Sequence, residues 1–203
     1  MAEVFWYMGL YEFDVDLAKE LVQDGREPVE LDDDSVQHSV RGGEINKSHI
    51  SKVDVTKPGI IAHVRYETDS GHVFRGHVLI DGNHRAARCM REKRPFQVYV
   101  LTPEESEQVL LRGPNDPIPP LRVKLREHGG KFLLTPAGAG APVEIDERGF
   151  FLLGSIDGAK TPGQIRAAYE EYFGTPLAQE DFNVFIKRAQ SKGWIKLSQP
   201  CRV

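Results

Sequence analysis

The sequence predicts an α+β protein of two small domains, and three observations support this. Two runs rich in β-branched residues, 60–66 and 73–80, flank a Ser-Gly turn and predict a β-hairpin. Apolar residues recur at helical spacing over 162–172 and 182–189. Between these regions, residues 113–120 hold four prolines in eight positions, which is typical of a linker. We therefore predict domains at 1–112 and 125–203, joined by residues 113–124.

In the first domain, helix and strand patterns alternate. Asp14 can cap a helix that ends at Gly25, and residues 28–31 predict a strand that the acidic run 32–35 ends. Polar residues 38–52 predict an exposed loop that leads into a short helix. After the hairpin, a helix is predicted from Arg85, a strand over 96–101, and a last helix from Thr102-Pro103 to about Leu111.

The second domain begins with a sheet and continues with helices. Residues 131–134 and 143–145 predict a loose hairpin. Three helices follow, over about 147–155, from the Thr161 cap and Pro162 onwards, and over about 182–189. Gly193 ends the third helix, and residues 194–197 predict a closing strand. This order predicts a small winged-helix-like domain.

The charge distribution excludes some function classes. Residues 1–112 carry 14 basic and 20 acidic side chains, whereas residues 113–203 carry 12 and 10. Because neutralising DNA phosphates needs a basic surface, nucleic-acid binding is disfavoured. No stretch approaches the roughly 20 apolar residues of a membrane span. We expect a cytoplasmic protein without a membrane partner, in which Cys89 and Cys201 are reduced thiols.

The segment from Asp81 to Ala87, DGNHRAA, follows a strand pattern and opens a helix. Gly82 lets the backbone turn sharply, and the free amides of the first helical turn predict an anion site, usually for phosphate. Asp81 could hold a metal ion or orient a substrate group, and His84 could contact a phosphate oxygen or transfer a proton. A plain salt bridge between Asp81 and Arg85 is the alternative interpretation of the same pattern.

Residues 80–87, between a hairpin and an Arg-containing helix, resemble the signature of the ParB/sulfiredoxin superfamily over about residues 28–112. Members bind nucleoside phosphates at this turn. Partition proteins bind and hydrolyse CTP, sulfiredoxins repair sulfinic acid with ATP, and a kinase branch phosphorylates free serine. Asn83 stands where sulfiredoxins need a reactive cysteine, and the Arg-rich motif and DNA-reading domain of partition proteins are not evident. The kinase motif Asp-Gly-His-His-Arg differs only at Asn83.

The resemblance implies an ATP-dependent phosphotransferase that acts on a small hydroxyl compound or a peptide. ATP or another nucleoside phosphate would be bound with Mg²⁺, held chiefly through the phosphates. Asp81 would orient the acceptor or the metal, and Glu44, with His49 as a neighbour, is the nearest candidate for the base. The phosphates would be held by Gly82, Asn83, His84, Arg85 and Arg88.

The histidines raise the alternative of a metal site. Six of the seven lie between His38 and His84, but none shows a zinc-type spacing such as HExxH. His63 and His77 are therefore expected on a solvated face of the hairpin rather than in a zinc site.

Residues 145–153, 156–162 and 192–195 resemble the PqqD-type domain, over about residues 125–198. Such domains bind leader peptides of ribosomally made natural products by adding a peptide strand to the hairpin edge. The resemblance implies an open edge on strand 131–134 for a peptide partner. This leaves a second hypothesis, a non-catalytic adaptor with a peptide site and a regulatory nucleotide site. A third, a partition-type DNA-binding regulator, conflicts with the charge distribution.

Overall fold

The computed structural model describes residues 3–42, 45–67, 71–137 and 140–195. The protein is mixed α+β, as predicted, and divides into two compact units, the first mainly from residues 12–111 and the second mainly from residues 112–195. Among the described residues, no helix has the length and apolar composition that crossing a membrane requires. The elements up to residue 112 are β1 (Val4–Tyr7), β2 (Tyr11–Asp14), α1 (Val15–Leu21), β3 (Val29–Leu31), α2 (Asp33–Gly42), α3 (Lys47–Ile50), β4 (Gly59–Glu67), β5 (Val73–Asp81), α4 (Asn83–Glu92), β6 (Phe96–Val100), α5 (Pro103–Gln108) and β7 (Leu110–Arg112).

The first unit is built on a four-stranded mixed sheet with the order β3-β6-β4-β5. β4 and β5 pair antiparallel along their length, which confirms the predicted hairpin, although its turn at 68–70 lies outside the described residues. β6 runs parallel to β4 and antiparallel to β3. This order places the start of β4 beside the end of β5, where the DGNHRAA segment begins.

The core of the first unit lies between this sheet and two helices. Val36 of α2 and Ala86 and Cys89 of α4 pack against buried sheet residues that include Leu79 and Phe96. Cys89 is a buried free thiol, and its burial raises the pKa of the thiol above the ordinary value. Packing against the sheet fixes α4, and with it the turn that precedes α4.

Several predicted boundaries in the first unit are wrong. The carboxylate of Asp32 accepts a hydrogen bond from the backbone N of Ser35 at 2.9 Å, so the acidic run 32–35 starts α2, which also replaces the predicted loop at 38–42. Asp14 caps α1 as predicted, but α1 ends at Leu21 rather than at Gly25. Residues 110–112 form a strand, β7, that pairs with β2 in a separate three-stranded sheet with β1.

The second unit contains a three-stranded sheet and three helices. Its elements are β8 (Val123–His128), β9 (Lys131–Pro136), β10 (Val143–Ile145), α6 (Glu147–Gly154), α7 (Pro162–Phe173) and α8 (Gln179–Ser191). The hairpin of β9 and β10 and all three helices are confirmed, including the Thr161 cap of α7. Of the closing strand, Ile195 forms a bridge to Leu121, and residues 196–197 lie outside the described residues.

The prediction of an open edge on strand 131–134 is wrong. The sheet order is β10-β9-β8, so β9 lies in the middle and pairs on both sides. The sequence analysis missed β8, which covers the edge that was expected to be free. The proline-rich segment, which was predicted as a linker, also contributes to the core of this unit. Its Ile118 is fully buried with Leu134, Leu153 and Phe182.

Candidate functional site

The turn between β5 and α4 is a sharp one that requires glycine. Gly82 has a φ of +99°, in the left-handed region, and it directly precedes the ten-residue helix α4. The first intrahelical bond runs from the amide of Ala86 to the carbonyl of Gly82 at 2.8 Å. The amides of Asn83, His84 and Arg85 therefore have no acceptor within the helix, and no side chain caps it. This end of α4 carries the positive pole of the helix dipole.

A second glycine, at the start of β4, brings two backbones together at this turn. A Cβ on Gly59 would lie 2.8 Å from the carbonyl oxygen of Asp81 and 2.8 Å from the ring of Phe96. A Cβ on Gly82 would lie 2.9 Å from the Cα of Gly59. The sequence analysis did not identify Gly59, and the only signal for it is a Pro-Gly pair directly before a strand. The absence of a side chain at both glycines therefore allows the turn to lie close against the start of β4.

Arg85 is held inside this turn by an ion pair. Its Nη2 donates to Asp81 Oδ2 at 2.7 Å and to the carbonyl of Pro58 at 3.1 Å. The two side chains are 17% and 14% exposed, so the salt bridge that was the alternative interpretation is present and partly buried. The Nε of Arg85 is buried and has no hydrogen-bond partner among the described residues. One donor of the guanidinium is thus unsatisfied within the described part of the chain.

His84 connects the start of α4 to the segment before α3. Its Nε2 accepts a hydrogen bond from the backbone N of Asn46 at 3.0 Å, which assigns the proton of the neutral ring to Nδ1. The ring of His49 stands edge-on at 5.1 Å between centroids. Burial, and then the charge of His49, lower the pKa of His84 below its ordinary value. At neutral pH, His84 is therefore a neutral donor through Nδ1.

Two other predicted phosphate contacts are engaged with the protein's own backbone. The side-chain amide of Asn83 donates through Nδ2 to the carbonyl of Leu79 at 3.1 Å. The guanidinium of Arg88 donates to the carbonyl of Val53 at 2.8 Å and forms an ion pair with Glu92. Both side chains hold the surroundings of the turn in place, and their roles in phosphate binding stay predictions.

The proposed base and metal site have less support in the geometry. Glu44 lies outside the described residues. No group of three or more His, Cys, Asp or Glu side chains that could hold a metal ion occurs in the ranges described. The role of Asp81 as a metal ligand stays a prediction.

Comparisons with known proteins add no family to these observations. No family model, no curated protein and no solved structure matches the chain.

His63 and His77 form a cross-strand pair on the hairpin. They lie directly opposite in the β4–β5 register, and their ring centroids are 4.5 Å apart. His77 is exposed and His63 is half-buried. Partial desolvation of this ring, and then the charge of His63, lower the pKa of His77. The pair is separate from the turn at Gly82.

We expect the titration of His84 to depend on His49. In the free protein the pKa of His84 should lie below about 6.5, and His49→Gln should raise it, because a nearby positive charge disfavours the imidazolium. Since folding lowers this pKa, the unfolded chain binds more protons. The contribution of neutral His84 to the stability of the fold is fully present when the pH is above the pKa of His84 in the unfolded chain. It is lost as the pH falls through the pKa of His84 in the folded protein.

Two-dimensional NMR of the imidazole nitrogens as a function of pH measures this pKa. His128→Gln changes an exposed histidine of the second unit and serves as the control. An unchanged His84 titration in His49→Gln would mean that the two rings do not interact.

Proposed function

We propose that the protein binds a nucleoside phosphate at the β5–α4 turn and transfers a phosphoryl group from ATP to a small hydroxyl compound or a peptide. The observation that carries this proposal is the uncapped start of α4, where the amides of Asn83, His84 and Arg85 have no intrahelical acceptor. A phosphate at this position would accept from these amides and would gain from the helix dipole. The resemblance of residues 80–87 to the ParB/sulfiredoxin signature supports the choice of nucleotide.

The charges at the turn favour a small phosphate ligand over a polyanion. The charge of Arg85 is balanced by Asp81, so the pair adds little net positive potential. The main attraction would come from the backbone amides at the start of α4, which act at short range. A single phosphate group can reach such donors, whereas an extended nucleic acid needs a broad basic surface.

Each side chain then has a limited set of roles. Asp81 uses Oδ2 for Arg85, and its Oδ1 could accept from the acceptor hydroxyl or from water on Mg²⁺. His84 uses Nε2 for Asn46, so it would donate to a phosphate oxygen through Nδ1. Proton removal from the acceptor is proposed for Glu44, which the family resemblance suggests as the base.

Calorimetric titration with ATP, ADP and CTP, with and without Mg²⁺, tests the binding step. We expect ATP and ADP to bind, and Mg²⁺ to strengthen the binding of ATP. Failure of all three to bind would overturn the proposal. ADP release in the presence of small hydroxyl compounds tests the transfer step. Binding without turnover, together with Glu44→Gln behaving as wild type, would favour a regulatory nucleotide site in an adaptor.

His84→Glu should weaken the binding of ATP at least tenfold. A carboxylate in the first turn of α4 is favourable for the helix, and it can still accept from the backbone N of Asn46. It would, however, repel a phosphate at the same helix end. His84→Gln keeps an acceptor without the charge and is the matched control, with an expected loss of about twofold. Equal ATP affinities of the two variants in calorimetry would place the phosphates elsewhere.

A further inference from the structure

The second unit has an open groove between its sheet and its first two helices. Residues of β8, β9, α6 and α7 line the groove, which has a volume of about 480 Å³. Its walls combine aromatic rings with carboxylates, contributed by Glu127, Phe132, Glu147, Phe150, Phe151 and Tyr172. Neither the nucleotide proposal nor the core of this unit accounts for this combination.

The aromatic walls consist of two ring pairs, one tilted and one stacked. The rings of Phe132 and Phe150 are 4.8 Å apart at an interplanar angle of 34°, and those of Phe151 and Tyr172 are 4.8 Å apart at 29°. Tyr172 is 62% exposed, which is high for a large ring on a helix face. Ring faces carry negative electrostatic potential, so walls of this kind attract cations.

The two carboxylates of the groove take part in no salt bridge in the part of the chain that the structure describes. They belong to Glu127 and Glu147, which are both exposed. A negative charge in the first turn of α6 interacts favourably with the helix dipole, which accounts for Glu147. Glu127 has no such reason to be acidic. The neighbouring Arg148 lies over the ring of Phe173 at 6.0 Å from its centroid, and neither residue lines the groove.

We propose that this groove binds an arginine side chain of a partner peptide. Two carboxylates without an ion pair among the described residues, beside aromatic walls that include the exposed ring of Tyr172, are complementary to a cation. A guanidinium fits better than an ammonium, since it is planar, stacks on rings and donates to a carboxylate through two parallel N–H groups. The partner is thus a peptide with an accessible arginine, and the proposal does not depend on the nucleotide site.

The first test uses N-acetyl-arginine N-methylamide as the probe with the full chain. Titration followed by ¹H–¹⁵N NMR should shift the amides of α6 and of Tyr172, with a dissociation constant in the millimolar range for this single residue. The citrulline analogue has the same shape without the charge and should bind at least fivefold more weakly. Equal binding of the two probes, or shifts confined to other parts of the chain, would overturn the proposal.

The second test separates charge from packing. Glu127→Gln with Glu147→Gln should weaken arginine binding at least fivefold. Glu107→Gln with Glu180→Gln changes the net charge equally at exposed positions outside the groove and should leave binding within twofold of wild type. Tyr172→Ala should also weaken binding at least fivefold. If neither Glu127→Gln with Glu147→Gln nor Tyr172→Ala reduced the affinity, the groove would not be the arginine site.

Discussion

Gly82→Ala is expected to lower the free energy of unfolding of the first unit by about 4 kcal/mol. Holding an L-residue at a φ of +99° costs about 1–3 kcal/mol. The added Cβ would also lie 2.9 Å from the Cα of Gly59 and 3.2 Å from the ring of Phe96. Because backbone and a buried ring cannot easily move away, this overpacking adds about 1–3 kcal/mol.

Gly25→Ala is the matched control for this variant. Gly25 has a similar φ of +92°, but a Cβ there would meet no atom within 4 Å. Only the backbone cost of about 1–3 kcal/mol should appear. Urea denaturation followed by circular dichroism gives both values. Equal losses in the two variants would mean that the close approach of Gly82 and Gly59 is absent.

The features that could be predicted are those that depend on residues close to one another in the sequence. The cap at Thr161, the turn at Gly82 and the strand runs of the hairpin each depend on residues within a few positions of one another. A local pattern also led to a wrong prediction where it is compatible with two structures. An acidic run such as 32–35 can end a strand or start a helix, and the contact of Val36 with the sheet core favours the helix.

The elements that were missed depend on distant parts of the chain. β8 has only a short alternation of Val123 and Leu125 with charged residues, and its pairing with β9 makes it a strand. Because β8 was not predicted, β9 was expected at the edge of its sheet, whereas it lies at the centre. A short strand beside a proline-rich segment gives little periodicity from which such a pairing could be predicted.

The candidate site was predicted in part for the same reason. The sequence placed Asp81, Gly82 and Arg85 at one turn, which a strand-to-helix transition requires. It did not show that His84 meets the backbone of Asn46, 38 positions earlier, or that Arg88 binds the carbonyl of Val53, 35 positions earlier. These contacts follow from the packing of α2, α3 and α4, which no short motif specifies.

Arg85→Met is expected to lower the free energy of unfolding by about 3 kcal/mol, since it leaves the partly buried carboxylate of Asp81 without a partner. The 17% and 14% exposure of the two side chains keeps this cost at the lower end of the range for buried pairs. Asp81→Asn keeps an oxygen that can accept from Arg85 and should cost about 1 kcal/mol. The double variant should be less destabilised than the sum of the two, with a coupling of about 1–2 kcal/mol.

Arg91→Met serves as the control for this series, because Arg91 is exposed on the same helix and should change stability by less than about 0.5 kcal/mol. A loss in Arg85→Met no larger than in Arg91→Met would exclude the ion pair with Asp81.

The stabilisation of the same variants by ATP distinguishes the structural role of each residue from its role in ligand binding. A ligand at 100 times its dissociation constant stabilises the folded state by about 2.7 kcal/mol. Arg85→Met should lose most of this stabilisation, because it leaves the negative charge of Asp81 uncompensated at the helix start, where it repels a phosphate. Asp81→Asn should keep it and lose turnover instead, because its proposed role is to orient the acceptor or the metal. The reverse result would assign phosphate binding to Asp81 and overturn the division of roles at this turn.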